Sequence, residues 1–233
     1  MPTASYLERR KELEHYFDRT AADAWARLTS DAPLGRIRAT VRAGRDQMRN
    51  TLLGWLPPDL NGLRILDAGC GTGALAVALA ERGADVLAVD ISPKLIALAR
   101  ERHPERIGRG RLSFEVGDML KPVAHRFDHI CAMDSLIHYN AADVTKALGL
   151  LARSASSSIL FTFIPRTPLL VTMHAAGRMF PRSDRSPALR PLGETAIRKL
   201  IHAQPEMAAW SPRRTQYVSR GFYTSQALEL VRT

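Results

Sequence analysis

The sequence predicts a doubly wound α/β fold, a mostly parallel seven-stranded sheet with helices on both faces. Three observations carry that expectation. From Arg64 onward, short apolar runs alternate with longer segments of helical period. Alternating glycines, Gly69, Gly71 and Gly73, stand where the first apolar run gives way to the first helix of that series. Acids close the first three runs (Asp67, Asp90 and Asp118), on the carboxyl edge where such sheets hold ligands.

The elements follow in order. A helix is expected over 5–28, because Ser5 with Glu8 forms a capping-box pair and Leu13, Tyr16, Phe17, Trp25 and Leu28 return at helical intervals. A second is expected over 36–55. Ile37, Val41, Met48 and Leu52 share one of its faces, the arginines at 36, 38, 42, 45 and 49 mostly take the rest, and Pro57-Pro58 ends it. Residues 1–58 then form an N-terminal helical cover over a core domain at 59–233. The core strands are expected at 64–68, 85–90, 112–117, 127–133 and 158–164, with helices near 73–82, 93–103, 141–153 and 194–203. A closing hairpin, 209–217 with 221–231, supplies the last strands, the final one antiparallel. Residues 166–192 break the rhythm. Pro165, Pro168, Pro181, Pro187 and Pro191 bracket the apolar run LLVTMHAAGRMF, too long for a simple connection, and insertions of that kind usually serve function.

Composition narrows the class. With 233 residues, 45% hydrophobic and 24% charged, the chain suits one soluble domain. No apolar run reaches the roughly 18 residues of a membrane span, and MPTASYLERRKELEHYF has no signal-peptide core, so a cytoplasmic location is expected. Cys70 and Cys131 lack the spacing of a metal or redox motif, so neither a metal site nor a disulfide framework is expected. The net charge of +10 favours anionic partners: nucleic acid, an acidic membrane or a carboxylate-bearing small molecule.

The most informative segment is Ile65-Leu66-Asp67-Ala68-Gly69-Cys70-Gly71-Thr72-Gly73. Glycines let a backbone approach a ligand closely, and a dinucleotide would suit that loop as well. Asp67 separates the readings. A carboxylate at the strand end is badly placed beside a pyrophosphate and well placed beside an ammonium, and S-adenosylmethionine (SAM) carries an ammonium and a sulfonium but no phosphate. Asp90, closing the second strand, can accept both ribose hydroxyls, and Asp118 is expected to face the adenine amino group. The expected cofactor set is Asp67, Gly69, Cys70, Gly71, Gly73, Asp90 with Ile91, Asp118 with Met119, and Asp134 after the fourth strand.

With this motif the stretch from about 60 to 165 resembles the class I SAM-dependent methyltransferases, whose sheet is Rossmann-like. Such enzymes acting on nucleic-acid or protein amines often carry Asn/Asp-Pro-Pro-aromatic after strand four. This chain reads Asp134-Ser135-Leu136-Ile137-His138-Tyr139 there, which argues against nucleic acid as a partner. A resemblance spanning nearly the whole chain rests on Glu14-His15-Tyr16-Phe17-Asp18-Arg19-Thr20, Trp25, Val41-Arg42-Ala43-Gly44-Arg45, ILDAGCGTG, the segment 134–139 and Arg220-Gly221-Phe222-Tyr223-Thr224-Ser225. In these the chain resembles the magnesium-protoporphyrin IX O-methyltransferase family.

That resemblance implies methyl transfer from SAM to a propionate of magnesium-protoporphyrin IX, early in (bacterio)chlorophyll synthesis. It implies His138 and Tyr16 as the catalytic pair, with Tyr139, His15 and Tyr6 as substitutes. A porphyrin needs an apolar slot rimmed by cations, so Tyr139, Arg166, Met173 and Arg178 are expected to bind substrate and 166–192 to act as a flap over it; His174 reads as structural rather than as a magnesium ligand. The same insertion suits peripheral contact with an anionic membrane. Magnesium chelatase, which supplies the substrate, is the implied protein partner. The rival readings are a methyltransferase for another apolar acceptor, such as a quinone precursor, and a SAM-binding scaffold or regulator of a pigment-synthesis complex.

Overall fold

The computed structural model describes residues 1–20, 25, 27–29, 35–104, 107–166 and 188–233. Helix α1 spans Ala4–His15. Its cap is Thr3, whose hydroxyl accepts from the Tyr6 N–H at 3.0 Å, while Ser5, expected to cap, donates instead to Asp143 at 2.7 Å. The helix predicted to reach residue 28 widens at Tyr16–Thr20 into one π-helical turn, a feature frequent at functional sites. Trp25, Arg27 and Leu28 are helical again. Helix α2, Arg36–Trp55, has the predicted bounds and buries Met48, Leu52 and Leu53. It lies close on the sheet because Gly44 has no side chain: a Cβ there would sit 2.5 Å from the Tyr223 ring.

Seven strands make one sheet: β1 Arg64–Ala68, β2 Asp85–Asp90, β3 Arg111–Val116, β4 Phe127–Ala132, β5 Ala155–Phe163, β6 Trp210–Arg220 and β7 Tyr223–Arg232. Their order is β3-β2-β1-β4-β5-β7-β6. Neighbours from β3 to β5 pair in parallel, and β7 runs antiparallel to both β5 and β6. Helices α3 (Ala74–Glu81), α4 (Pro93–Arg102), α5 (Ala141–Ala152) and α6 (Glu194–His202) lie within one residue of their expected ends. The largest shift among the parallel strands is at β5. It begins at Ala155, which pairs with Phe127, whereas the polar run Ser156-Ser157-Ser158 conceals the strand from an apolar pattern.

The sheet separates two apolar cores. Ile65 and Leu66, adjacent on β1, go to opposite ones, as the period of two requires. Tyr6 and Leu13 of α1 join the core shared with α5 and α6, and Met48 and Leu52 of α2 join the core shared with α3 and α4. The N-terminal helices are thus built into both layers. Among the described residues no helix is long and apolar enough to cross a membrane.

Candidate active site

Strand order reverses between β1 and β4, and the carboxyl ends of these strands diverge into the crevice where doubly wound sheets take ligands. A cavity of about 550 Å³ fills that crevice, walled by the glycine loop on one side and by α1 and α2 on the other.

The loop after β1 is held from within. Gly69 and Cys70 both donate to the Val89 carbonyl, at 2.8 and 3.1 Å, and Gly73 donates to the Cys70 carbonyl at 3.0 Å. Gly71 donates to Asp90 Oδ2 at 2.8 Å. These four N–H groups are committed inside the protein, which leaves the loop poorly equipped to cradle phosphate. Gly69 is obligatory on two counts: its φ of +85° is left-handed, and an added Cβ would lie 2.3 Å from the Ser135 Cβ.

Two carboxylates face the cavity beside this loop. Asp67, 1% exposed, lies next to the end of β1 with a buried Oδ2 that has no hydrogen-bond partner among the described residues. Burial, reinforced by the nearby charge of Asp90, pushes its carboxyl up to about 7 against the pull of the Ala76 N–H and the Arg45 guanidinium. Asp90 ends β2, accepts from Gly71 and from the Ser92 N–H at 2.9 Å, and is also raised, burial outweighing those donors and the Ile91 N–H. An orphaned buried anion next to a loop whose N–H groups are spent fits a cationic amino-acid nucleoside, and does not fit a pyrophosphate. SAM meets that requirement: Asp67 would hold its ammonium and Asp90 its ribose.

Of the other expected cofactor residues, Cys70, Ile91, Met119 and Asp134 line the cavity, whereas Gly73 and Asp118 do not. Asp118 departs from expectation. Its oxygens accept from the Tyr6 hydroxyl at 2.8 Å, the Leu120 N–H at 2.9 Å and Arg10 at 2.9 Å, so the carboxylate fastens α1 to the sheet instead of facing adenine. Asp134 reaches the cavity wall but is heavily engaged. Arg45 pairs with it at 2.8 Å, the Tyr223 hydroxyl donates to it at 3.1 Å, and Thr162 and Ser225 donate at 3.2 and 3.4 Å. These contacts hold its backbone at a φ of +54°, rare for a residue with a side chain.

After Asp134 the chain forms the short turn Leu136–His138. His138 is 6% exposed, lines the cavity, and meets the Phe17 ring edge-on at 5.8 Å. Its backbone carbonyl accepts from Arg9 of α1 at 3.0 Å. Tyr139 also lines the cavity and stacks on Tyr6 at 4.7 Å. Burial raises both phenols, so both are neutral donors at any ordinary pH. Tyr16 lies half-buried against Phe17 and is not on the cavity wall; Tyr6 is the tyrosine that α1 contributes there.

Arg166 is exposed, away from the cavity wall, at the base of the insertion. Met173, Arg178 and His174 lie outside the described residues. The two ends of the insertion meet: Arg166 N–H donates to Leu192 at 3.1 Å, and Leu192 N–H donates to Ile164 at 2.8 Å. Nearby, Arg190 N–H donates to Ile137 at 2.9 Å and Arg9 to the Ala188 carbonyl at 2.7 Å, so the insertion leaves and returns beside His138.

Several site residues lack a local sequence signal. Arg45 looks like one more arginine on a solvated helix face, yet it turns inward to Asp134 and lies 4.6 Å over the Trp25 ring. Arg42, on the same helix, donates to the Arg27 and Leu28 carbonyls at 3.0 Å. Ser135, beside Gly69 of the glycine loop, has a buried hydroxyl with no hydrogen-bond partner among the described residues.

Comparison with known proteins gives the family. Residues 132–232 match the family description "Magnesium-protoporphyrin IX methyltransferase C-terminus", and residues 65–157 match "Methyltransferase domain". Over 230 residues the chain is 48% identical to the magnesium-protoporphyrin O-methyltransferase of Rhodobacter capsulatus, covering 98% of this chain and 99% of that protein. It is 30% identical to the protein of that name from Synechocystis sp., covering 99% and 100%. The crystal structure of magnesium protoporphyrin IX methyltransferase from Synechocystis with bound SAH superimposes with a TM-score of 0.84 at 30% identity, over 96% of this chain and 99% of that one.

Proposed function

The chain belongs to the magnesium-protoporphyrin O-methyltransferase family, and from that premise we propose that it is a SAM-dependent enzyme which methylates a propionate carboxylate of magnesium-protoporphyrin IX to the monomethyl ester. The observation that carries the reading is the cavity at the β1–β4 divide, lined both by Asp67, whose buried Oδ2 has no partner among the described residues, and by His138.

Bound SAM supplies an electrophilic methyl group on a sulfonium. The protein's task is then mostly alignment and dryness. A propionate is ionised at neutral pH, its ordinary pKa lying near 4 to 4.5, so it needs no strong base. His138 positions the acceptor carboxylate and takes its proton when it arrives neutral. Leu13, Phe17 and Trp25 with Tyr6 and Tyr139 make the wall apolar, so the opposite charges of carboxylate and sulfonium meet with little water between them. Holding oxygen, carbon and sulfur in line contributes about 7–11 kcal/mol by orientation. Tyr16 sits one residue from Phe17; acting on the acceptor would require its ring to turn inward, whereas Tyr6 already faces the cavity.

The apolar and arginine-rich composition of 166–192, together with an anchorage beside His138, supports its role as the porphyrin-covering segment in which Met173 and Arg178 contact substrate, with Arg166 at its exposed base. The same composition and the +10 charge support peripheral contact with an anionic membrane, and the poor solubility of the substrate supports docking on the magnesium chelatase that makes it.

Purified protein incubated with methyl-labelled SAM and magnesium-protoporphyrin should give a singly methylated ester. Turnover of a quinone precursor but not the porphyrin would overturn the substrate assignment. His138→Ala should lower kcat by roughly 10²-fold and leave SAH affinity near wild type.

A further inference from the structure

Among the described residues, Asp67 Oδ2 and Ser135 Oγ on the cavity wall are buried without a hydrogen-bond partner, and both lie beside Gly69. Asp67 lies two residues before Gly69 on β1. Ser135 follows β4, the strand parallel to β1, and its hydroxyl stands 3.1 Å from where a Gly69 Cβ would be. A buried hydroxyl without a hydrogen bond is costly to keep, so a group that spans both atoms in the working enzyme would explain both.

We propose that Ser135 is a positioning residue whose hydroxyl accepts a hydrogen bond from the α-ammonium of the cofactor, completing with Asp67 a two-point seat for its amino-acid end. This rests on the SAM-dependent reading above. The ammonium has three donors to place, and Asp67 accounts for one. The neighbouring Asp67 charge repels the cofactor's carboxylate, which leaves the ammonium as the partner for Ser135. Ser135 also begins the turn that carries His138 three residues later. Fixing the amino-acid end at Ser135 therefore ties the cofactor to the segment that holds the acceptor.

The test compares wild type with Ser135→Ala by calorimetry, using S-adenosylhomocysteine and 5′-methylthioadenosine, which lacks the amino-acid end. The variant should bind S-adenosylhomocysteine about tenfold or more weakly, the effect of one lost hydrogen bond to a charged group, and bind 5′-methylthioadenosine as wild type does. Its ligand-free melting temperature should stay level or rise, because an unpaired hydroxyl has been removed. Equal S-adenosylhomocysteine affinity in the two proteins overturns the proposal. So does an equal loss toward both ligands, or a fall in ligand-free stability, since each marks a structural serine. Failure of wild type to bind S-adenosylhomocysteine would instead overturn the SAM-dependent reading itself.

Discussion

Asp67 concentrates the electrostatics of the site into one titration. Its folded pKa, about 7, lies above the ordinary value of 3.8, chiefly because it is buried and secondly because Asp90 is charged beside it. A group raised on folding contributes stability that is complete below its unfolded pKa and is lost as pH climbs through the folded one. The ligand-free wild type should therefore lose thermal stability relative to Asp67→Asn as pH is raised from about 4 to about 8, a window set by those two values. Melting curves of both proteins across that range check it; a constant difference would contradict it. A bound ammonium favours the ionised carboxylate, so S-adenosylhomocysteine should bind more tightly as pH rises through about 7 and should release a proton when bound near pH 6. Calorimetry in two buffers of unlike ionisation heat measures that proton, and Asp67→Asn should release none.

Among elements, α1 is the one whose attachment the site depends on most. Asp118 holds it through Tyr6 and Arg10, Asp143 through Thr3 and Ser5, and the His138 carbonyl through Arg9. Asp118→Ala strands a buried phenol and frees a partly exposed arginine, and should cost about 1–3 kcal/mol of stability. Amide exchange should quicken over Ala4–His15 while the sheet is unaffected, and cofactor affinity should fall because Tyr6 and Leu13 leave the cavity wall; unchanged exchange in α1 would show that the other anchors suffice. These anchors also mark where sequence reasoning stops. The places of Asp67 and Asp90 on the cavity wall are legible because they follow from position in a strand–loop–helix unit a few residues long. Asp118 occupies an equivalent position on the third strand, but its partners Tyr6 and Arg10 lie 112 and 108 residues away, and no local pattern announces them. Arg45 and Tyr223 each reach Asp134 across 89 residues, for the same reason. Tyr16 is singled out by the family resemblance alone; in the structure the π turn begins at this residue and the tyrosine lining the cavity is Tyr6.

At the scale of the whole molecule, one sheet carries Asp67 and Asp90 and leads into the Leu136–His138 turn, and both cores include an N-terminal helix. Ligand at the β1–β4 divide should therefore steady the entire cooperative unit. S-adenosylhomocysteine at about 100 times its Kd should add about 2.7 kcal/mol and raise Tm by roughly 5–10 °C for a chain of this size. Scanning calorimetry should show a single transition moving as one; a shifted component beside an unshifted one would mean that the N-terminal helices unfold separately. The alternating strands and helices of 64–164 made this architecture readable in advance, since period and order are properties of contiguous sequence.

The pinched base of the 166–192 insertion separates two inheritances. Because the chain departs at Arg166 and is back at Leu192 through a pair of backbone hydrogen bonds, the stretch between can lengthen, shorten or change character without altering strand register or the seat of the methyl donor. On the proposed role of this segment as the acceptor's cover, exchanging it between relatives should move acceptor preference while the donor half stays as it is.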